Sequence, residues 1–443
     1  MQCPGHTMFH DFRRHDTRRI VRFIDCTLSA PQQQVSGISR VVQALLEAGT
    51  GAADGGLVET VQPVAVAGGS YRLAVPQSMG PAPSVVAVRL RTFARRLDEW
   101  LRDRAPNLEY AIVRLVMAAG GIQSLGLATA AASRDAVPVS FEDGDVLLLA
   151  DATWMIPSWR SAVEQARAAK ARVVPLIYDL LPMSHPQFFA PLFCAQFKHW
   201  LIEMIPLADA MVCISNATAT ALRHFAAAER LTDRLPPIGV FPLGTRLRPA
   251  AAEPRPEVTA VFATCSRPFL MVGTIEPRKN HALVLDSFER FWAAGGTAPL
   301  VVIGRRGWQC EATLRRFKRV ATDGRPFAHI GDASDADLQY AYRHARCLIF
   351  PSVAEGFGLP IVEALAQGLP AIASDIPVHR EVGGDLVTYI PLGAPGHLAG
   401  LLQSIEDGST VLNAPAPGTM HLPSWVESAA AMQCEIDRLL ASR

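Results

Sequence analysis

The sequence predicts an α/β protein in which strand–helix units build parallel sheets. Three observations carry that expectation. Short apolar runs alternate with amphipathic stretches along almost the whole chain, the pattern of a parallel sheet covered on both faces. Six such runs, PFLMVGT, APLVVIG, PFAHIG, ARCLIF, PAIAS and LVTYI, recur through the second half with helical patterns between most of them. A stretch rich in Pro, Ala and charge, RPAAAEPRPEV, interrupts the series just before it restarts at Phe269.

In chain order, the first half offers strands at Val21–Asp25, Val146–Ala150, Arg172–Tyr178, Ala210–Ile214 and Ile238–Phe241. Helical patterns fall near 37–49, 86–104, 157–169 and 191–206, and 55–76 reads as a hairpin. The break at Pro249–Pro256 is the expected boundary between a first domain, 1–248, and a second, 249–424. Residues 1–18 of the first could be flexible. The six runs of the second suit a nucleotide-binding sheet. Ser424 and Glu427 have capping-box spacing, so a last helix is expected from Trp425 towards Leu440, within a segment 425–443 that could pack back towards the first domain.

Length and composition bound the function. The 443 residues allow three domains, or equally two larger α/β ones. With 49% hydrophobic and 19% charged residues the chain is a packed globular protein. Its 42 basic and 41 acidic residues provide no extended basic surface for nucleic acid. The eight cysteines include no C-x-x-C pair, so neither a zinc ribbon nor a disulfide scaffold is indicated and a cytoplasmic setting is expected. The most apolar long tract, Tyr110–Ala132, is broken by Arg114, Gly120, Gly121 and Gln123, and no membrane span is expected. The cluster Arg13, Arg14, Arg18, Arg19 and Arg22 could touch anionic lipid at the inner face of the membrane or be a solvated tail.

The most informative passage runs from Phe350 to Ala364, a strand end, a glycine loop and a helix start. Gly356 and Gly358 let backbone approach a ligand, Pro360 suits the first helical turn, and the free N–H groups of that turn favour an anion. Glu355 and Glu363 could then address different parts of one long ligand. Here the chain resembles the retaining glycosyltransferases of family 4, whose hallmark is a Glu, seven residues and a second Glu; the match extends over EGFGLPIVEALAQGLPAIASDIPVHREV. The resemblance covers residues 170–443 well and 20–45 locally. It implies the GT-B architecture, two Rossmann-like domains with parallel sheets facing across a cleft, the first binding acceptor and the second the nucleotide sugar. By the same resemblance Glu363 holds the ribose hydroxyls, Glu355 contacts the donated sugar, and the amides of Phe357, Gly358 and Leu359 meet diphosphate and sugar.

A second passage, VGTIEPRKNH, again runs from a strand end into a helix. Cations there would stabilise the negative charge that develops as a nucleoside diphosphate departs. The resemblance assigns that task to Lys279. Many relatives add an Arg after the strand-end Gly, where this chain has Thr274, so Arg278 would replace it or Thr274 would donate a weaker bond. The loops holding Arg305 and Gly331 follow two further strands and should lie along the same carboxyl edge; the resemblance implies that they flank the nucleobase, although solvated arginines are an equal reading.

In the first half, Asp25-Cys26-Thr27 followed by Gly37-Ile38-Ser39-Arg40-Val41 resembles the subgroup many of whose members transfer mannose from GDP-mannose. Gly37 could approach phosphate or sugar, while Asp25 and Arg40 are acceptor candidates. Asp179 lies where relatives read His-Asp-Leu-x-Pro, with Tyr178 in the His position; it is a candidate for sugar contact or for turn formation, and His185 follows as an acceptor candidate. Ser215 reads as a helix cap before a ligand contact, and Asp143-Gly144-Asp145 as a turn rather than a metal motif. No cofactor or metal is expected, the sugar nucleotide being a substrate. The resemblance thus implies transfer of a hexose, mannose from GDP-mannose, to a saccharide acceptor that could be lipid-linked. A nucleotide-sugar epimerase on the same fold and a silent binding subunit are the alternatives.

Overall fold

A computed structural model describes residues 21–27, 38, 41–46, 61–67, 69–73, 137–156, 158–244, 253–264, 267–416 and 422–442. The expected helix at 86–104, the apolar tract Tyr110–Ala132, the arginines before Val21, Gly37, Arg40 and residues 245–252 of the expected boundary lie outside them.

The first sheet contains β1 (Arg22–Asp25), β2 (Val61–Ala67), β3 (Ser70–Leu73), β4 (Val146–Leu149), β5 (Arg172–Ile177), β6 (Met211–Cys213) and β7 (Ile238–Val240), in the order β3-β2-β1-β4-β5-β6-β7. Every pairing is parallel except β2–β3, the hairpin expected near 55–76. The second sheet is wholly parallel: β8 (Phe269–Val272), β9 (Leu300–Ile303), β10 (Phe327–Ile330), β11 (Cys347–Phe350), β12 (Ala371–Ser374) and β13 (Val387–Ile390), in the order β10-β9-β8-β11-β12-β13. All six apolar runs of the second half became these strands.

Those runs are continuously apolar because both faces of each sheet are covered. In β8, β9, β11 and β12 every residue is buried. Phe269, Met271, Leu300 and Val302 point into one core with Phe288 and Phe291, while Leu270, Val272, Val301 and Ile303 point into another with Tyr342 and Leu365. The period of two along a strand divides them.

The last helix, Trp425–Ala441, starts at the Ser424/Glu427 capping box and packs on the first sheet. Its Met432, Ile436 and Leu439 join Ile24, Leu148 and Val212 in one core, and Arg22 reaches Asp437 at 2.7 Å. The Pro256–Thr264 helix instead belongs to the second sheet, where Val258 and Phe262 are buried beside Tyr342. Among the described residues no helix is long and apolar enough to cross a membrane.

In the second sheet the chain builds β8, β9 and β10 outward and then jumps to β11 on the other side of β8. Loops leaving β8 and β11 therefore diverge and open a crevice at the carboxyl edge. The first sheet has the same jump between β1 and β4.

Candidate functional site

The crevice between β8 and β11 gathers the charge. After Val272 the chain turns at Gly273, runs through Pro277–Lys279 and enters the His281–Ala293 helix through Asn280, whose φ of 59° is left-handed. Asn can occupy that conformation at modest cost. The two loops are bonded to each other: Val353 N donates to Arg278 O at 2.8 Å and Asn280 Nδ2 to Pro351 O at 3.3 Å. Arg278 and Lys279 thereby both meet Glu355. Arg278 Nη1 lies 2.7 Å from Glu355 Oε2 and its Nη2 2.7 Å from Glu276 Oε1, while Lys279 Nζ donates to Glu355 Oε1 and sits 5.0 Å above the Phe350 ring.

The environment decides their protonation. Burial alone would raise the Glu355 carboxyl, but Arg278 and Lys279 outweigh it and hold the group well below the carboxylate range. Burial lowers the Lys279 ammonium, and the neighbouring Arg278 adds to that while Glu355 opposes it. Arg278 is held charged by Glu355 and Glu276 against the cost of burial. Two cations and one firmly ionised acid thus share a nearly water-free corner, where an added anion would be strongly felt.

Beyond Glu355, Gly358 takes a φ of 105° and begins the Leu359–Ala366 helix, with Pro360 in its first turn. Pro360 has no N–H and Ile361 N donates to Gly358 O at 3.0 Å, so the N–H of Leu359 is the first of the helix without an intrahelical partner. One turn in, Glu363 is 4% exposed and accepts a 2.9 Å bond from Tyr342 Oη.

The first half closes the site from above. A Cβ at Gly356 would come within 2.3 Å of Tyr178 O, so glycine is needed here for the approach of the other sheet's backbone. Ser215 Oγ donates to Gly356 O at 2.8 Å while also capping the Asn216–Ala228 helix. Glu381 accepts from Asn216 N and Ala217 N at 2.7 and 3.0 Å, and Trp308 Nε1 donates to Phe188 O at 2.8 Å. Asp179 follows β5 and accepts from Leu181 N at 3.0 Å; burial raises its carboxyl, with Leu181 N–H and Arg278 opposing. Between the halves lies a cavity of about 1590 Å³. Pockets for one small ligand are typically ~300–1,000 Å³, so this one has room for two.

Twelve of the residues singled out from the sequence line this cavity: Asp179, Thr274, Arg278, Lys279, Arg305, Gly331, Glu355, Gly356, Phe357, Gly358, Leu359 and Glu363. Asp25 and His185 do not. Asp25 is 0% exposed and accepts from Thr27 Oγ1 and from Tyr71 Oη at 3.4 Å, which removes it from direct acceptor contact. His185 stacks on Phe188 and meets Ser184 Oγ at 2.9 Å outside the cavity wall. Asp145 uses its carboxylate on Val21 N and Glu142 N in the expected turn. Among the described residues no group of three His, Cys, Asp or Glu side chains is disposed to hold a metal. Sequence reasoning missed Tyr342 and Glu381, whose parts depend on pairings across long chain separations, and Glu276, whose ion pair with Arg278 two residues on lay inside the motif it had picked out.

The chain is similar to several known proteins. Residues 263–410 match the family model described as glycosyl transferases group 1. The serotype-specific mannosyltransferase WbdA of Escherichia coli is 32% identical over 270 residues, which are 59% of this chain and 33% of that protein. The O-antigen chain mannosyltransferase B of Escherichia coli is 35% identical over 142 residues, 32% of this chain and 37% of that one. The chain therefore spans about a third of the length of the curated relatives it matches. Among solved structures, the sucrose-phosphate synthase of Thermosynechococcus elongatus superposes with a TM-score of 0.57 at 16% identity, covering 96% of this chain and 100% of that one. The fold is GT-B, two α/β units whose sheets face across a cleft.

Proposed function

We propose that this chain is a retaining glycosyltransferase that moves mannose from GDP-mannose to a saccharide acceptor. The observation that carries the reading is the convergence of Lys279, Arg278, Glu355, Glu363 and the start of the Leu359–Ala366 helix on one cavity at the β8–β11 crevice. The mannosyltransferase relatives support the choice of sugar.

In this reading the diphosphate lies over the helix start, where the Leu359 N–H and a positive dipole end favour an anion. Glu363, oriented by Tyr342, binds the ribose hydroxyls. The acceptor hydroxyl attacks the sugar's anomeric carbon from the face the nucleotide leaves. The bond from that carbon to the phosphate oxygen breaks, the bond to the acceptor oxygen forms, and the hydroxyl proton passes to the departing phosphate. Lys279 and Arg278 stabilise the charge gathering there. Glu355 holds both cations in place and, through them, the floor under the transferred sugar. Contact between the halves at Gly356 and Trp308 keeps water from competing with the acceptor.

Thermal unfolding with GDP, UDP and ADP, followed by product analysis with GDP-mannose and a mannoside acceptor, tests this. GDP at a hundredfold excess over its Kd should stabilise the fold by about 2.7 kcal/mol, and the product should be a disaccharide rather than an isomerised nucleotide sugar. Equal indifference to all three nucleotides overturns the reading.

A further inference from the structure

The cavity has a second, aromatic wall. Trp308, Phe189, Phe193, Phe197, Trp154 and Trp200 all line it and touch in sequence. Ring centroids are 5.9 Å apart from Trp308 to Phe189, 5.8 Å from Phe189 to Phe193 and 6.5 Å from Phe193 to Phe197. Phe197 then meets Trp154 at 5.1 Å and Trp200 at 5.6 Å. Helical spacing creates the row: Phe193 and Phe197 are four apart on the Pro191–Met204 helix, and Phe189 continues the series at its mouth.

Only the inner rings behave as core. Phe197 and Trp200 are buried, whereas Phe189, Phe193 and Trp154 are half-buried and Trp308 is 39% exposed. Polar groups lie beside the row, and two of them, Arg306 and Glu311, line the cavity. Gln196, between two of the phenylalanines, donates to Trp154 O at 2.7 Å, and Arg306 pairs with Glu311 at 3.0 Å in the loop that carries Trp308.

We propose that this row is the acceptor subsite, a track that holds several sugar rings of a saccharide chain beside the reaction centre. The inference rests on the reading of the chain as a glycosyltransferase and goes beyond it by specifying an oligosaccharide. A pyranose has an apolar C–H face and a hydroxyl rim. The face gains from covering an aromatic ring, through area removed from water and through the ring's negative quadrupole, and the rim needs donors and acceptors at its edges. The row supplies both, repeated at about the span of one sugar residue. A hydrocarbon tail would be set against the charged Arg306 and Glu311, which line the same cavity and cost free energy to take out of water. Asp179 lines the same cavity and lies within electrostatic reach of Arg278 and Glu355.

Tryptophan emission of the GDP-saturated protein, titrated with methyl α-mannoside and with α-linked manno-oligosaccharides of increasing length, tests it. The longer chains should bind about tenfold more tightly than the monosaccharide. In Phe193→Ala that ratio should collapse while the thermal shift with GDP is retained, and Phe193→Tyr should restore it. Equal affinity at every length in the unaltered protein, or length dependence that survives Phe193→Ala, overturns the proposal. A response to farnesyl phosphate but not to the sugars would make the row a lipid track and overturn it likewise. Length-dependent sugar binding with no GDP shift would leave the track standing and remove the nucleotide reading instead.

Discussion

Both sheets make the same topological jump, β1 to β4 in the first and β8 to β11 in the second, yet the two carboxyl edges are used in opposite ways. At the first, Asp25 and Asp151 are 0% and 3% exposed, and hydroxyls of Thr27 and Tyr71 satisfy Asp25. Burial, reinforced by Asp151, raises the Asp25 carboxyl to about 7. At the second, Arg278 and Lys279 hold Glu355 ionised on the wall of a cavity. Strand order decides where loops diverge; the side chains carried by those loops decide whether the gap becomes a binding site or a sealed joint. The same difference separates the two paired carboxylates physically, since one is kept charged by cations and the other tends towards neutrality.

If the second edge does the chemistry, the largest effect should come from Lys279→Ala. It removes a cation from the departing phosphate, a loss comparable to deleting an oxyanion donor, ~10²–10³ in turnover. Single-turnover rates at saturating donor measure it; an unchanged rate would assign the leaving-group role elsewhere. Next is Glu363→Gln, which replaces charge-assisted bonds to the ribose with neutral ones. The expected change is roughly 10- to 100-fold in donor KM with kcat nearly constant. A fall in kcat alone would move Glu363 from nucleoside binding to the transfer step. Tyr342→Phe, which removes one hydrogen bond to Glu363, should change the same KM in the same direction by less.

Much of this second edge was legible in the sequence. Its strands are short, apolar and regularly spaced, and its motifs lie directly after them, so position on the carboxyl edge follows from local pattern. The first edge was harder to read. Asp25 stands at a strand end as Glu355 does, and nothing local reveals that Tyr71 and Asp151 will close over it from distant parts of the chain. At Gly356 the structure adds a close approach that the sequence did not name, that of Tyr178 O from the opposite sheet. Nor does the sequence show that Phe189, Phe193 and Trp308 form one wall, since Trp308 arrives from the other half. Contacts made across the cleft were invisible to periods of two and 3.6.

The smallest effect on turnover, and the sharpest test of the contrast, comes from Asp25→Asn. In the unfolded chain the carboxyl has its ordinary value of 3.8, and in the folded protein about 7. Below both values the proton is bound in either state and the group adds no pH dependence. Between about pH 4 and pH 7 the unfolded chain releases the proton while the folded one keeps it, so unfolding is progressively favoured and stability falls by on the order of a few kcal/mol. Above that window the loss is constant. Asparagine keeps an oxygen for Thr27 and cannot ionise, so the melting temperature of the variant, relative to the unaltered protein, should rise from pH 4 to pH 7 and then level. Asp151→Asn removes the second cause of the raised value, and should narrow the window from its upper side. Were the difference in melting temperature flat across that range, Asp25 would be ionised in the folded protein, and the first edge would hold a buried charge as the second does.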